Sequence, residues 1–213
     1  MTDRLIAIGD IHGDIVKLNT LLDKLNLSQK DTVVFLGDYI DVGNNSMEVI
    51  DKLILLSKKI NCIFLKGNHE DLLLKCAKTK SEEDMVNWLM VGGLATYYNY
   101  GDINLIFNKH LDFFLKLQLY YETEKYLFVH GGIRPNIPLL EQSKEDILWI
   151  RDDFIYNTHG LKQKVIFGHT PFNIPYIEND KIGINTGCGI AENGYLTAII
   201  CGEEEIFISS KQD

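Results

Sequence analysis

Short apolar runs alternate with longer segments of helical period along the first third of the chain. LIAI at 5–8 is followed by IVKLNTLLDKLNL, in which Ile15, Leu18, Leu21, Leu22 and Leu25 fall on one helical face. TVVFL at 32–36 is followed by SMEVIDKLILLSKKI, again apolar at helical intervals, and CIFL at 62–65 leads into a third helix candidate, EDLLLKCAK. A βαβαβα beginning predicts parallel strands covered by helices, because strands buried on both faces read as near-continuous apolar runs. The segment 81–118 predicts mostly helix and carries Trp88 with several aromatics. From Leu119 onward strand-like runs dominate: LYYE, YLFVH, VIFGH, IPYIE, KIGIN, YLTAIIC and EIFIS. Together these predict an α/β fold with two sheets packed in the middle and helices outside. No linker, repeat or low-complexity tract breaks the chain, so a single domain over 1–213 is expected.

Composition narrows the function classes. The chain has 213 residues, enough for a sizeable core, with 46% hydrophobic and 24% charged residues. A net charge of −9 argues against a broad surface for nucleic acid or anionic membrane. It leaves room for a phosphate-bearing substrate, because bound cations reverse the field locally. No run approaches the ~18 apolar residues of a membrane span, and the four apolar residues after MTDR are too few for a signal peptide. The cysteines Cys62, Cys76, Cys188 and Cys201 are scattered, so reduced thiols in a cytoplasmic protein are expected.

The polar residues at the ends of the apolar runs carry the chemistry. LIAI ends in Gly9-Asp10-Ile11-His12-Gly13, VVFL in Gly37-Asp38-Tyr39-Ile40-Asp41, and CIFL in Lys66-Gly67-Asn68-His69-Glu70. LFV ends in His130-Gly131-Gly132, and VIF in Gly168-His169-Thr170. A lone Gly-Asp after a strand is usually a turn, and a lone buried histidine is usually a packed core residue. The joint pattern reads differently: repeated Asp, Asn and His at strand ends, beside glycines, is the donor chemistry of a metal site where strand ends converge. Asp10 and His12 suit one ion, Asn68, His130 and His169 another, and Asp38 could bridge the two. His110 and His159 lie outside these motifs and are assigned surface or packing roles.

In this order, GDIHG, GDYID, GNHE, HGG and GHT resemble the phosphoprotein-phosphatase family of binuclear metallophosphoesterases, whose relatives include diadenosine tetraphosphatases. GGLATYYNYG, HGGIRP, LWIRDDF and INTGCG look like its small bacterial and phage branch, so the resemblance spans nearly the whole chain. It implies a four-layer α/β/β/α sandwich of calcineurin-like type. It implies two divalent metal ions, with manganese expected and iron or zinc as alternatives. Asp10, His12 and Asp38 match the ligands of the first, and Asp38, Asn68, His130 and His169 those of the second. A hydroxide shared by the ions would attack phosphorus in line, His69 would act as general acid, and Asp41 would orient and charge that histidine.

One position departs from the family pattern, GD-x-x-D-R-G: Val42 stands where an arginine usually grips phosphate. Arg151 is the first candidate to replace it and Arg134 the second, since a guanidinium offers phosphate a bidentate fork. Activity is expected to survive, with a looser hold on phosphate or a shifted substrate. The leading expectation is a Ser/Thr protein phosphatase acting on phosphoprotein. The alternative is a bis(5'-nucleosyl)-tetraphosphatase, for which Tyr97, Tyr98 and Tyr100 could stack a base. A third reading is a catalytically impaired phosphate-binding protein. Oligomeric state is left open.

Overall fold

The computed structural model describes residues 3–211. The first strands and helices run β1 (Leu5–Ile8), α1 (Ile15–Leu25), β2 (Thr32–Phe35), α2 (Ser46–Ser57), β3 (Asn61–Phe64) and α3 (Asn68–Thr79). A helical stretch follows: α4 (Glu82–Trp88), a wide turn at Leu89–Gly93, α5 (Leu94–Tyr100) and α6 (Ile103–Leu115). The second half holds β4 (Tyr120–Glu122), β5 (Tyr126–Val129), α7 (Lys144–Trp149), α8 (Asp152–Ile155), β6 (Lys164–Phe167), β7 (Tyr176–Ile177), β8 (Lys181–Gly183), β9 (Thr197–Cys201) and β10 (Ile206–Ser209).

Two five-stranded sheets result, in the orders β10-β9-β1-β2-β3 and β4-β5-β6-β8-β7. The central strands are parallel in both, β1 with β2 and β3, and β5 with β6 and β8. Antiparallel strands close one edge of the first sheet, whose other edge is the parallel strand β3, and both edges of the second. The sheets face each other across Ala7, Val34, Leu36, Phe128, Ile166, Ile184 and Ile199, all fully buried. Alternation along each strand sends the other side chains outward. Ile6, Ile8, Val33 and Phe35 meet the apolar faces of α1 and α2, and Leu127, Val129 and Phe167 meet Ile147, Phe154 and Ile155. The layering is therefore helix, sheet, sheet, helix, as the alternation of periods predicts. The strand-rich second half nevertheless contains α7 and α8, and they cover the outer face of the second sheet.

Register brings the functional loops to one edge. Ile8 pairs with Phe35 and Phe35 with Phe64, so β1, β2 and β3 end level. In the second sheet β5 and β6 likewise end together, with Phe128 beside Ile166.

Candidate metal and active site

Asp38 is the centre of the cluster. Its carboxylate belongs to two groups of potential ligands, one with His12 and His69 and one with His130 and His169, whose donor atoms lie within 4.8 Å of one another. His130 Nε2 lies 3.3 Å and His12 Nε2 3.7 Å from Asp38 Oδ2, and Asn68 Oδ1 lies 2.8 Å from His130 Nε2. Asp10 joins from the end of β1, its carboxylate accepting the His169 N–H at 3.0 Å and the Asn185 side-chain amide at 2.7 Å. All six residues predicted as ligands thus meet where the two sheets end.

Local backbone chemistry sets their directions. His12, Asp38 and His169 have φ of 48°, 50° and 58°, left-handed turns that swing each side chain back over its strand end. His12 Nδ1 donates to the Ile40 carbonyl at 3.2 Å and His130 Nδ1 to the Leu36 carbonyl at 2.9 Å. Each bond leaves Nε2 aimed into the cluster, as backbone partners do for metal-binding imidazoles. Gly67 approaches so closely that a Cβ there would overlap the Asp38 carboxylate. α3 starts at Asn68, one residue after that glycine, so Asn68 and His69 sit on a helix N-terminus and not in a loop.

Glu70 was not foreseen as part of this site. It is fully buried, and its oxygens accept backbone N–H groups from Asp38 (3.0 Å), Tyr39 (2.8 Å) and Gly67 (3.0 Å). One carboxylate therefore ties the loop after β2 to the loop after β3. The capping-box position three residues after Gly67 was the available sequence signal. Asn185, in INTGCG, was missed too.

The electrostatics sort these groups. Burial pushes Asp10 up to about 7 and Glu70 to about 7, the charge of Asp38 adding to both. Burial alone would raise Asp38, but His130, His69 and His12 outweigh it and hold that carboxyl well below its ordinary range. Burial pushes His12 down to about 4 and His169 to about 3, leaving neutral imidazoles. For His69, burial is overcome by the charges of Asp38 and Asp41, which lift it to about 10. His69 Nδ1 donates to Asp41 Oδ2 at 2.9 Å, across twenty-eight residues of sequence. It is a cation facing the cluster.

Divalent cations fit this donor set. His169 Nε2 and Thr170 Oγ1 are the buried side-chain polar atoms without a hydrogen-bond partner among the described residues. An orphaned imidazole nitrogen amid Asp38, Asp10 and His130 is donor chemistry that suits a divalent cation.

The predicted phosphate-binding arginines separate. Arg151 Nη1 donates to the His169 carbonyl at 3.3 Å, at the rim of the cluster, while its side chain is otherwise exposed. Arg134 is drawn aside into ion pairs with Asp146 at 2.6 Å and Asp153 at 3.1 Å. Of the tyrosines considered for base stacking, Tyr100 is buried and hydrogen-bonded to His110, and Tyr97 packs against the core. Tyr98 is exposed, at 74%, with its ring edge-on to that of Tyr97. Trp149 is an aromatic the sequence did not single out, and it sits edge-on to His169 with ring centres 5.8 Å apart. His110 and His159 are both buried in packing roles. The four cysteines are free.

A two-sheet sandwich whose strand ends converge on Asp, Asn and His donors defines the class of metal-dependent hydrolases. The sequence model of the calcineurin-like phosphoesterase family matches residues 3–203, and the chain belongs to that family. It is 26% identical over 238 residues to the asymmetrical bis(5'-nucleosyl)-tetraphosphatase PrpE of Oceanobacillus iheyensis, covering 98% of this chain and 93% of that one. Serine/threonine-protein phosphatase with EF-hands 1 of Rattus norvegicus is 31% identical, over 62% of this chain and 19% of the rat protein. A crystal structure of a putative diadenosine tetraphosphatase superposes with a TM-score of 0.72 at 22% identity, covering 98% and 94% of the two chains. A serine/threonine phosphatase from Saccharomyces cerevisiae superposes at 0.67 with 20% identity, covering 97% and 79%. The protein is a phosphoric ester hydrolase by family. Among the described residues no helix is long and apolar enough to cross a membrane.

Proposed function

We propose that the chain hydrolyses dinucleoside polyphosphates, with diadenosine tetraphosphate as the representative substrate. The observation that carries this reading is length: the tetraphosphatase relative matches end to end, whereas the rat protein phosphatase matches over a fifth of its length. The expected protein phosphatase therefore becomes the second reading, and the impaired phosphate-binding protein the third.

Asp10, His12 and Asp38 would hold one divalent cation, and Asp38, Asn68, His130 and His169 the other; manganese suits this mixed oxygen and imidazole shell, as do iron and zinc. Bound there, the cations supply Lewis-acid charge that acidifies water and neutralises phosphoryl oxygens. The rest is the work of side chains. Arg151, at the rim beside His169, offers its guanidinium to the non-bridging oxygens, a role Arg134 is prevented from sharing by Asp146 and Asp153. His69, cationic and 3.9 Å from Asp38 through Nε2, gives its proton to the departing oxygen. Asp41 keeps Nδ1 protonated and the ring turned toward the substrate.

The test is a substrate panel with Mn²⁺ supplied: diadenosine tetraphosphate, a phosphothreonine peptide and p-nitrophenyl phosphate. The dinucleotide is expected to have a kcat/KM at least about tenfold above either of the others, because a pocket that also holds the nucleoside gains transition-state binding from it. A phosphothreonine peptide turned over faster than the dinucleotide would replace this reading with the protein phosphatase.

A further inference from the structure

Asp41 is fully buried, and three donors converge on its carboxylate. His69 Nδ1 and the Trp88 indole Nε1 both donate to Oδ2, each at 2.9 Å, and the Thr96 hydroxyl donates to Oδ1 at 2.6 Å. The same Thr96 oxygen accepts the Asp41 N–H at 2.8 Å, so one hydroxyl fixes both the carboxylate and the left-handed backbone (φ 70°) of Asp41. Ser46 completes the ring, accepting from Asp41 N at 3.1 Å and lying 2.9 Å from Thr96 Oγ1. Trp88, Thr96 and Ser46 are each without solvent exposure.

The two outer donors come from α4 and α5, and the turn between them is built to deliver both. Gly92 has φ 115° and accepts the Val42 N–H at 3.1 Å; a Cβ at Gly92 would meet Val42 Cγ2 at 2.8 Å. Val42 itself sits at φ 66°, an unusual place for a β-branched residue, with its side chain against that turn. The residue standing where the family pattern has arginine thus closes the contact between the Asp41 loop and the α4–α5 turn.

We propose that Trp88 and Thr96 are positioning residues for the hydrolytic step: acting through Asp41, they fix the direction in which His69 presents its Nε2 proton, and Val42 serves this cradle. The inference rests on His69 being the proton donor. As the bond from phosphorus to the leaving oxygen breaks, the Nε2 proton passes to that oxygen with the N–H electron pair left on nitrogen. His69 ends neutral with its Nδ1 proton still donated to Asp41, and regains a proton from water. Trp88 and Thr96 exchange no proton. A carboxylate held by His69 alone could rotate about its side-chain torsions, and the ring with it; donors on both oxygens remove that freedom.

The prediction separates positioning from simple stabilisation, because misaiming a proton donor matters only when the leaving group needs a proton. With the Mn²⁺-loaded enzyme, Trp88→Phe and Thr96→Val are expected to lower kcat for phenyl phosphate at least about tenfold, within the range general acids contribute. Turnover of 2,4-dinitrophenyl phosphate, whose leaving group needs no proton, should stay within about twofold. Thr96→Ser, which keeps the hydroxyl, should restore phenyl phosphate hydrolysis. Equal losses on both substrates, no loss on either, or a serine variant as slow as the valine one would each overturn the proposal. His69→Asn run beside them keeps the two claims apart. If that variant shows no leaving-group dependence, the proton-donor reading fails; if it does and the cradle variants do not, the cradle alone fails. Should Trp88→Phe not fold, the Thr96 pair decides.

Discussion

Replacing Asp41 by asparagine removes one charge and little else. Asparagine can keep its carbonyl oxygen toward His69 and Trp88, and turn its amide toward the Thr96 hydroxyl, which is free to donate to Ser46 instead. The shape survives, and what is lost is the ion pair with His69. At a charge separation of roughly 4 Å and an effective dielectric of about 20, that pair is worth about 4 kcal/mol. At about 1.4 kcal/mol per pH unit, the loss lowers the His69 pKa by about 3. The alkaline limb of kcat, which reports loss of the His69 proton, should therefore lie about 3 pH units lower in the variant than in the wild type. At pH 8.5, where the variant has lost the proton that the wild type keeps, kcat for phenyl phosphate should fall at least about tenfold. Below the alkaline limb of the variant the His69 proton is restored in both proteins, and the deficit should nearly vanish. The assay is the pH profile of kcat from 5.5 to 9 on phenyl and 2,4-dinitrophenyl phosphates. An alkaline limb that does not move, or a loss equal at pH 6 and 8.5, would refute the argument that Asp41 acts by charging His69.

Two further predictions concern stability. Val42→Asn should raise stability by about 1 kcal/mol, seen as a melting temperature roughly 2–4 °C higher, because asparagine tolerates the left-handed backbone that valine resists; a lower melting temperature would show that the Gly92 contact outweighs the strain. Asp31 is buried, and the Arg4 guanidinium, at 3.0 Å through Nε, holds its carboxyl down to about 2. A folded-state pKa below the unfolded value gives stability that is present above about pH 4 and lost as pH falls through about 2. Asp31→Asn should therefore cost about 2 kcal/mol by urea denaturation at pH 7 and about half that at pH 3, with activity unchanged. A pH-independent gap would mean the hydrogen bonds to Ser28 and Arg4, not the charge, carry the effect.

The architecture and the cluster of donor side chains at the strand ends were legible for one reason. Residues that must lie at strand ends sit next to apolar runs that announce the strands, so the pattern alone places Asp10, Asp38, Asn68, His130 and His169. The Asp41–His69 pair was legible only through the resemblance of GDYID and GNHE to a known pattern, since twenty-eight residues separate them. Glu70, Trp88 and Thr96 were not. Their parts depend on backbone N–H groups and on a helix–turn–helix path that periodicity does not encode: Trp88 reads as a core aromatic, and it is one, apart from a single indole N–H. Val42 illustrates the limit from the other side. From sequence it was a missing phosphate ligand and a clue to substrate. In the fold it has a contact of its own, with Gly92, and the question of phosphate grip moves to Arg151. The short helices α7 and α8 were hidden because six and four residues give too little period to outweigh the strand-like runs around them.

A two-cation centre organised on Asp38 would bind its metal in a fixed ratio to the chain. The most direct measurement is the metal content of protein saturated with Mn²⁺ and freed of unbound ion, for the wild type and for Asp38→Ala. Two ions per chain are expected in the wild type and fewer than one in the variant, since both groups of ligands include Asp38. One ion per chain in the wild type, or two retained without Asp38, would contradict it.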